Sequence, residues 1–153
     1  LVSIFVIFVS LSLYFSKKRS ERNAMSEVGI AQLVYDAGKY EAAINAFTEV
    51  VNKYKGTKGA GIATYYIGDC YYKLNKFEEA RKYFEEYLNE YSDNDILASS
   101  ALSGIGACLE ENGEYLKAAE YYKKAVEKFP DLFITPQNLL NMGKKFFKVA
   151  MER

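Results

Sequence analysis

The residue types that most often carry catalysis or bind metals are sparse in this sequence. No histidine occurs among its 153 residues, so the most common general base and the hydrolytic triads built on it are missing. Cys70 and Cys108 therefore have no partners for a zinc site. Adjacent carboxylates, as at Glu110 and Glu111, stand among lysines on predicted helix surfaces, where a solvated face explains them. We expect no catalytic residue, no cofactor-binding residue and no metal ligand, and hence no enzyme.

Two glycine-containing segments superficially resemble nucleotide-binding loops. Gly56 and Gly61 have the spacing of a phosphate-binding loop, but Ile62 follows where that loop requires lysine. The Gly104-Ile105-Gly106 segment lies inside a predicted helix, whereas a dinucleotide fingerprint follows a strand. The chain carries 20 basic and 20 acidic residues, and this balance gives no indication of a nucleic-acid partner.

The two cysteines favour a structural role. Cys70 and Cys108 each follow a small residue by two positions in corresponding parts of the chain, so we expect both to fill the core between helices. A disulfide would need their Cα atoms within about 7 Å, and neighbouring helices usually stand farther apart.

A pattern of small and aromatic residues recurs three times. Its anchor is an alanine, at Ala43, Ala80 and Ala118, and the intervals between these are 37 and 38 residues. Such self-similarity is the signature of a repeat architecture. In the central copy, the apolar spacing predicts a first helix, helix A, over residues 63–74 and a second, helix B, over 78–90, with Asn75 in a left-handed conformation at the turn. Residues 92–95, which precede the next helix, predict an N-cap at an Asp or Asn. An antiparallel helix pair follows.

This pattern resembles the tetratricopeptide repeat (TPR). The matching segments are Ile30-Ala31 with Ala43-x3-Phe47, Ile67-Gly68-x2-Tyr71 with Ala80-x3-Phe84, and Ile105-Gly106 with Ala118-x3-Tyr122 and Pro130. The tryptophan of the family pattern is absent, because Glu27, Thr64 and Leu102 hold its place. The resemblance implies an all-α solenoid of three helix hairpins plus a terminal helix.

The first fifteen residues contain twelve apolar residues, three serines and no charge. They would span roughly 22 Å as a helix, short of the ~30 Å hydrocarbon core. Because the chain does not begin with methionine, we predict a truncated transmembrane anchor over residues 1–16. A signal-peptide core and a soluble core helix are the alternatives.

Basic residues follow directly. Lys17, Lys18, Arg19 and Arg22 suit lipid headgroups, and we expect the anchor helix to run straight into the first repeat. The resulting domain prediction is an anchor over 1–16, a basic collar over 17–23, repeats over 24–57, 58–94 and 95–132, and a C-terminal helix over 133–153. That last helix is helix A of a partial fourth repeat or a cap. Membrane topology stays open, because only one flank is present for comparison.

The resemblance also implies a binding surface, since four positions of each helix A tend to face the concave groove of a TPR domain. The candidate groove residues are Met25, Val28, Gln32 and Tyr35; Ile62, Tyr65, Asp69 and Tyr72; Ser100, Ser103, Ala107 and Glu110; and Gln137, Leu140, Lys144 and Phe147. TPR domains that dock chaperone C-termini use a clamp of Lys and Asn at these positions. That clamp is missing here, because the fifth positions of the three repeats are Val28, Tyr65 and Ser103. A tyrosine-rich groove favours an amphipathic helix or an extended apolar segment as ligand. Alternatively, the chain's own terminal segments cover these tyrosines.

The layout as a whole resembles single-pass bacterial envelope TPR proteins, among them the ancillary subunit of the Sec translocon. It implies a membrane-anchored scaffold for protein–protein interactions in envelope protein export or assembly, in the inner membrane with extracytoplasmic repeats. Two alternatives stay open: a structural protein that self-associates through apolar ends such as Phe146 and Phe147, and a regulatory domain of a larger protein. The oligomeric state and the partner are not determined by the sequence.

Overall fold

A computed structural model describes residues 2–133 and 135–151 of the chain. This part consists of seven α-helices and contains no strand, so the predicted all-α class and helix-hairpin solenoid are confirmed. The helices are α1 (Val2–Asp36), α2 (Tyr40–Lys53), α3 (Lys58–Lys73), α4 (Phe77–Glu90), α5 (Asp95–Glu111), α6 (Tyr115–Lys128) and α7 (Thr135–Met151). Each helix packs on the next, and α1 also packs on α3 and α3 on α5.

The turns inside the three hairpins share one backbone geometry. Gly38, Asn75 and Gly113 have φ values of 73°, 58° and 78°, which confirms the left-handed conformation predicted for this position. In each turn the following residue donates its backbone N–H to a carbonyl five residues earlier, as Lys76 does to Tyr71 at 2.9 Å. This is the bond that closes a Schellman motif. A tight turn of this kind makes the two helices antiparallel.

Side-chain caps fix where two of the helices begin. Asn94 Oδ1 accepts a hydrogen bond from the Leu97 N–H at 3.0 Å, as predicted for the segment before α5. Thr57 Oγ1 accepts from the Ala60 N–H at 3.1 Å, and α3 therefore starts at Lys58 rather than at the predicted Ala63.

The core lies between the helices and is built on small residues. Ala43, Ala80 and Ala118 are fully buried. Cys70 and Cys108 are free thiols buried in the core, as predicted. Burial raises the pKa of both thiols to about 12, so they remain protonated and uncharged at neutral pH.

The N-terminal helix α1 is one uninterrupted helix, which confirms the predicted straight run into the first repeat. The side chains of residues 4–15 are exposed along it. No helix in residues 2–133 and 135–151 is long and apolar enough to cross a membrane. In α1 the apolar stretch ends at Ser16, and three basic residues follow. The transmembrane anchor predicted for residues 1–16 is therefore not supported.

Candidate functional site

A cavity of about 460 Å³ lies on the surface formed by α3, α5 and α7. Its lining comprises Tyr65, Asp69, Tyr72 and Lys73 of α3; Phe84 of α4; Ser100, Ser103, Gly104 and Ala107 of α5; Tyr122 of α6; Phe133; and Gln137, Asn138 and Asn141 of α7. Its size is within the usual range of ligand pockets.

Helix α5 leaves room for this cavity because the face it presents has only small side chains. Ser100, Ser103, Gly104 and Ala107 follow the i, i+3, i+4, i+7 spacing that places residues on one side of a helix. Gly104 also allows α4 to approach closely, since a Cβ there would lie 2.6 Å from Cε2 of Phe84. The small residues therefore serve both the packing and the open volume.

Aromatic rings of α3 form the opposite wall. The Tyr65 ring lies 5.5 Å from that of Phe84 and 6.0 Å from that of Tyr87, measured between centroids. The Tyr72 ring lies 5.5 Å from that of Phe77. These contacts hold the two cavity tyrosines in fixed positions and leave part of each ring for a ligand.

Asp69 stands between these two tyrosines in the sequence of α3, and its carboxylate accepts a hydrogen bond from the Tyr35 hydroxyl of α1. Burial raises the pKa of Tyr35, and the bond to Asp69 raises it further. Tyr35 is thus a protonated donor that fixes the Asp69 carboxylate. It supports the cavity from outside, because its own side chain is not part of the lining.

Asn138 of α7 is the buried polar group of the cavity. Only 3% of it is exposed, and its Oδ1 lies 2.8 Å from the Ser103 hydroxyl of α5. Its amide nitrogen has no hydrogen-bond partner among the described residues. The sequence did not identify Asn138 as a site residue. The feature that could have identified it is its place in an amphipathic helix, directly after the predicted groove residue Gln137.

A charged contact holds α7 against α5 beside the cavity. The Glu110 carboxylate accepts from the Lys145 ammonium and, at 3.2 Å, from the Tyr122 hydroxyl. Glu110 was a predicted groove residue, and here its carboxylate is engaged by neighbouring helices. No three Cys, Asp or Glu side chains of the described residues are grouped so that they could hold a metal ion.

The structure brings some of the predicted groove residues together and separates others. Those that line the cavity together are Tyr65, Asp69 and Tyr72 of the second repeat and Ser100, Ser103 and Ala107 of the third. Met25 and Ile62 line a separate cleft of about 150 Å³. Val28 is 2% exposed and belongs to the core, because the face of α1 on which it lies packs into the first hairpin. Gln32 is half-buried on α1.

Three of the four predicted residues of the last helix lie outside the cavity. Leu140, Lys144 and Phe147 are exposed, whereas the residues of α7 that contact α5 or line the cavity include Asn138, Asn141 and Lys145. The observed register is shifted by one residue, which rotates the helix face by about 100°. Gln137, predicted in the same set, does line the cavity.

Comparison with known proteins agrees with the helix-hairpin fold. The sequence profile of the tetratricopeptide repeat matches residues 28–95 and 99–132, together about two thirds of the chain. No curated protein is significantly similar in sequence.

Several solved structures share the fold at low sequence identity. The second TPR domain of human RPAP3, solved in complex with the HSP70 peptide SGPTIEEVD, superposes with a TM-score of 0.67 and 20% identity, over 82% of this chain and 97% of that domain. The Sgt2 TPR domain from Aspergillus fumigatus gives a TM-score of 0.69 and 17% identity, over 84% and 82%. A TPR-like protein from Chlorobium tepidum gives 0.62 and 18%, over 88% and 97%.

Proposed function

Since this chain belongs to the tetratricopeptide repeat family, we propose that it is a non-catalytic scaffold that binds a segment of another protein in the cavity between α3, α5 and α7. The observation that carries the proposal is the cavity itself, which joins aromatic walls to a few polar groups. That combination is typical of sites that bury apolar side chains and orient a ligand through hydrogen bonds. The peptide-bound RPAP3 domain supports a peptide as the class of ligand.

Selection of peptides tests this function without a known partner. A phage-displayed library of random dodecapeptides is selected on the immobilised full chain, and the enriched peptides are tested against two variants. Ala107→Phe fills the cavity, because Ala107 lines it. Ala42→Phe adds the same ring at an exposed position of α2 and is the matched control.

We expect the wild-type chain and Ala42→Phe to bind the enriched peptides equally, and Ala107→Phe to bind them at least about tenfold more weakly. Circular dichroism must show that all three proteins have the same helicity. Equal binding by Ala107→Phe would place the peptide site elsewhere and contradict the proposal.

We also propose that residues 1–16 attach the chain to a membrane and that the scaffold acts in bacterial envelope protein export or assembly. The support is the series of exposed hydrophobic side chains over residues 4–15, in which Ser10 and Ser12 are the polar residues, followed by the basic collar over 17–23. Large exposed apolar patches mark protein or membrane contact surfaces. Flotation with vesicles of phosphatidylcholine and phosphatidylglycerol should recover the full chain and leave a chain of residues 17–153 behind. Equal flotation of both would contradict membrane attachment.

Self-association is the second candidate function, and the exposed rings of Phe146 and Phe147 favour it. They are 47% and 67% exposed on α7. Light scattering of the 17–153 chain over a range of concentrations tests it, because association through α7 should disappear when Phe147 is replaced by Ser. A monomer at every concentration would contradict this function.

A further inference from the structure

The cavity contains a carboxylate without a cationic partner. Asp69 accepts a hydrogen bond from Tyr35, but none of the salt bridges among the described residues involves it. The other charged side chain of the lining, Lys73, is exposed one helical turn further along α3. Glu110 of α5 is already paired with Lys145 in a salt bridge. A cationic ligand group would therefore find an available carboxylate at Asp69.

The same cavity contains a buried amide with an unsatisfied end. The Ser103 hydroxyl lies 2.8 Å from both the Ser99 carbonyl oxygen and Asn138 Oδ1. The Ser103 hydroxyl has one proton and can donate to only one of these acceptors. Whichever way the Asn138 amide is turned, one of its two ends, the oxygen or the nitrogen, therefore lacks a partner. A peptide backbone offers an N–H and a C=O in every residue and can satisfy either end.

Burial and nearby carboxylates both raise the pKa of the two cavity tyrosines. The pKa of Tyr65 is raised by burial first and then by the negative charge of Asp69. The pKa of Tyr72 is raised by burial and by the charges of Glu111, Glu110 and Asp69. A cation is stabilised in such an environment, and aromatic faces attract it further.

We propose that the cavity binds an extended peptide segment that carries a lysine or arginine, a specificity that rests on the scaffold function proposed above. The cationic group lies at the Asp69 carboxylate against the faces of Tyr65 and Tyr72, and a backbone amide of the peptide bonds to Asn138. Acidic peptides are disfavoured, because they bring carboxylates to Asp69. The peptide SGPTIEEVD, with which the RPAP3 domain was solved, is such a peptide.

Removal of the charge from the protein and from the peptide tests this specificity. Peptides selected on the full chain from the random library are sequenced, and the dissociation constant of the most enriched one is measured by fluorescence polarisation. Asp69→Asn removes the charge but keeps an oxygen that accepts from Tyr35. We expect lysine or arginine at one enriched position, and binding about tenfold weaker to Asp69→Asn than to wild type. Replacing the peptide's basic residue by glutamine should cause the same loss, and combining the two changes should cause little further loss.

The outcomes separate this specificity from the scaffold function. In one outcome the selected peptides fail to bind Ala107→Phe, contain no basic residue and bind Asp69→Asn as well as wild type. That outcome would overturn the specificity and leave the scaffold function intact. Peptides that bind Ala107→Phe undiminished would overturn both. Tighter binding of labelled SGPTIEEVD than of the selected peptide would also overturn the specificity.

Discussion

Gly104 is the residue at which a single methyl group should reveal how closely α4 and α5 approach. A Cβ on Gly104 would lie 2.6 Å from Cε2 and 2.8 Å from Cζ of the Phe84 ring, and Phe84 is 2% exposed. Alanine in place of glycine inside a helix normally stabilises a protein by about 0.5–1 kcal/mol. Overpacking of a core normally costs about 1–3 kcal/mol. Because the Phe84 ring also packs against Tyr65 and against the backbone at Gly68, the second effect should prevail.

We therefore expect Gly104→Ala to lower the free energy of unfolding by about 1 kcal/mol. In a Phe84→Leu background the atoms Cε2 and Cζ are absent, and the same change should stabilise the protein by about 0.5–1 kcal/mol. The difference is a coupling energy of about 1.5–2 kcal/mol, measured as a double-mutant cycle in urea unfolding followed by circular dichroism.

Gly143→Ala provides the control. Gly143 lies in α7, and no atom would come within 4 Å of a Cβ added there, so this change should stabilise the protein by the ordinary helical amount in both backgrounds. If Gly104→Ala stabilised the wild-type chain as Gly143→Ala does, the close approach of α4 to α5 would be refuted, and with it the position of α5 along the cavity.

Three further changes test the turn, the core and the cavity. Asn75→Ala should cost about 1 kcal/mol in urea unfolding, because alanine is strained at φ 58°, whereas Asn75→Gly should change stability by less than about 0.5 kcal/mol. Tyr87 holds its proton to a pKa of about 12 in the buried core, against 10.0 in the unfolded chain. Unfolding therefore releases that proton between these values, and stability falls as pH rises. Between pH 9 and pH 12 this proton release should lower the free energy of unfolding by about 2 kcal/mol, and Tyr87→Phe should remove that contribution. Parallel curves of the free energy of unfolding against pH for the two proteins would contradict the prediction. Asn138→Leu should stabilise the peptide-free protein by about 1 kcal/mol in urea unfolding, because it removes a buried amide with an unsatisfied end, while it weakens binding of the selected peptide. A loss of stability would show that the amide is satisfied in the folded protein.

The sequence predicted those features that depend on neighbours within one hairpin. The left-handed turn residues, the Asn94 cap and the buried cysteines each follow from short-range spacing, and all three are confirmed. The start of α3 was predicted five residues late, because Gly59 and Gly61 suggested a linker. In the structure these two glycines allow close packing instead. A Cβ on Gly59 would lie 2.6 Å from Cβ of Ala24, and one on Gly61 would lie 2.8 Å from Cβ of Tyr91.

The cavity could be predicted only in part, because it depends on how successive hairpins are rotated. Tyr65, Asp69 and Tyr72 followed from repeat positions in a helix whose register the neighbouring turns define. In α7 no second helix follows in the described residues to define the register, and a one-residue shift turned the predicted Leu140 and Phe147 away from the cavity. Asn138 was missed for the same reason.

The chemistry of the cavity arises from the differences between repeats, since residues shared by all repeats are used to pack the hairpins. At corresponding groove positions the second repeat has Tyr65, Asp69 and Tyr72, and the third has Ser103, Ala107 and Glu110. Large rings on α3 therefore face small side chains on α5, and this mismatch creates the volume. Had α5 repeated the tyrosines of α3, the rings would fill the space and no ligand would enter. The ligand preference should accordingly follow from this pair of helices, and exchanging their groove residues should change which peptide binds while the scaffold remains the same.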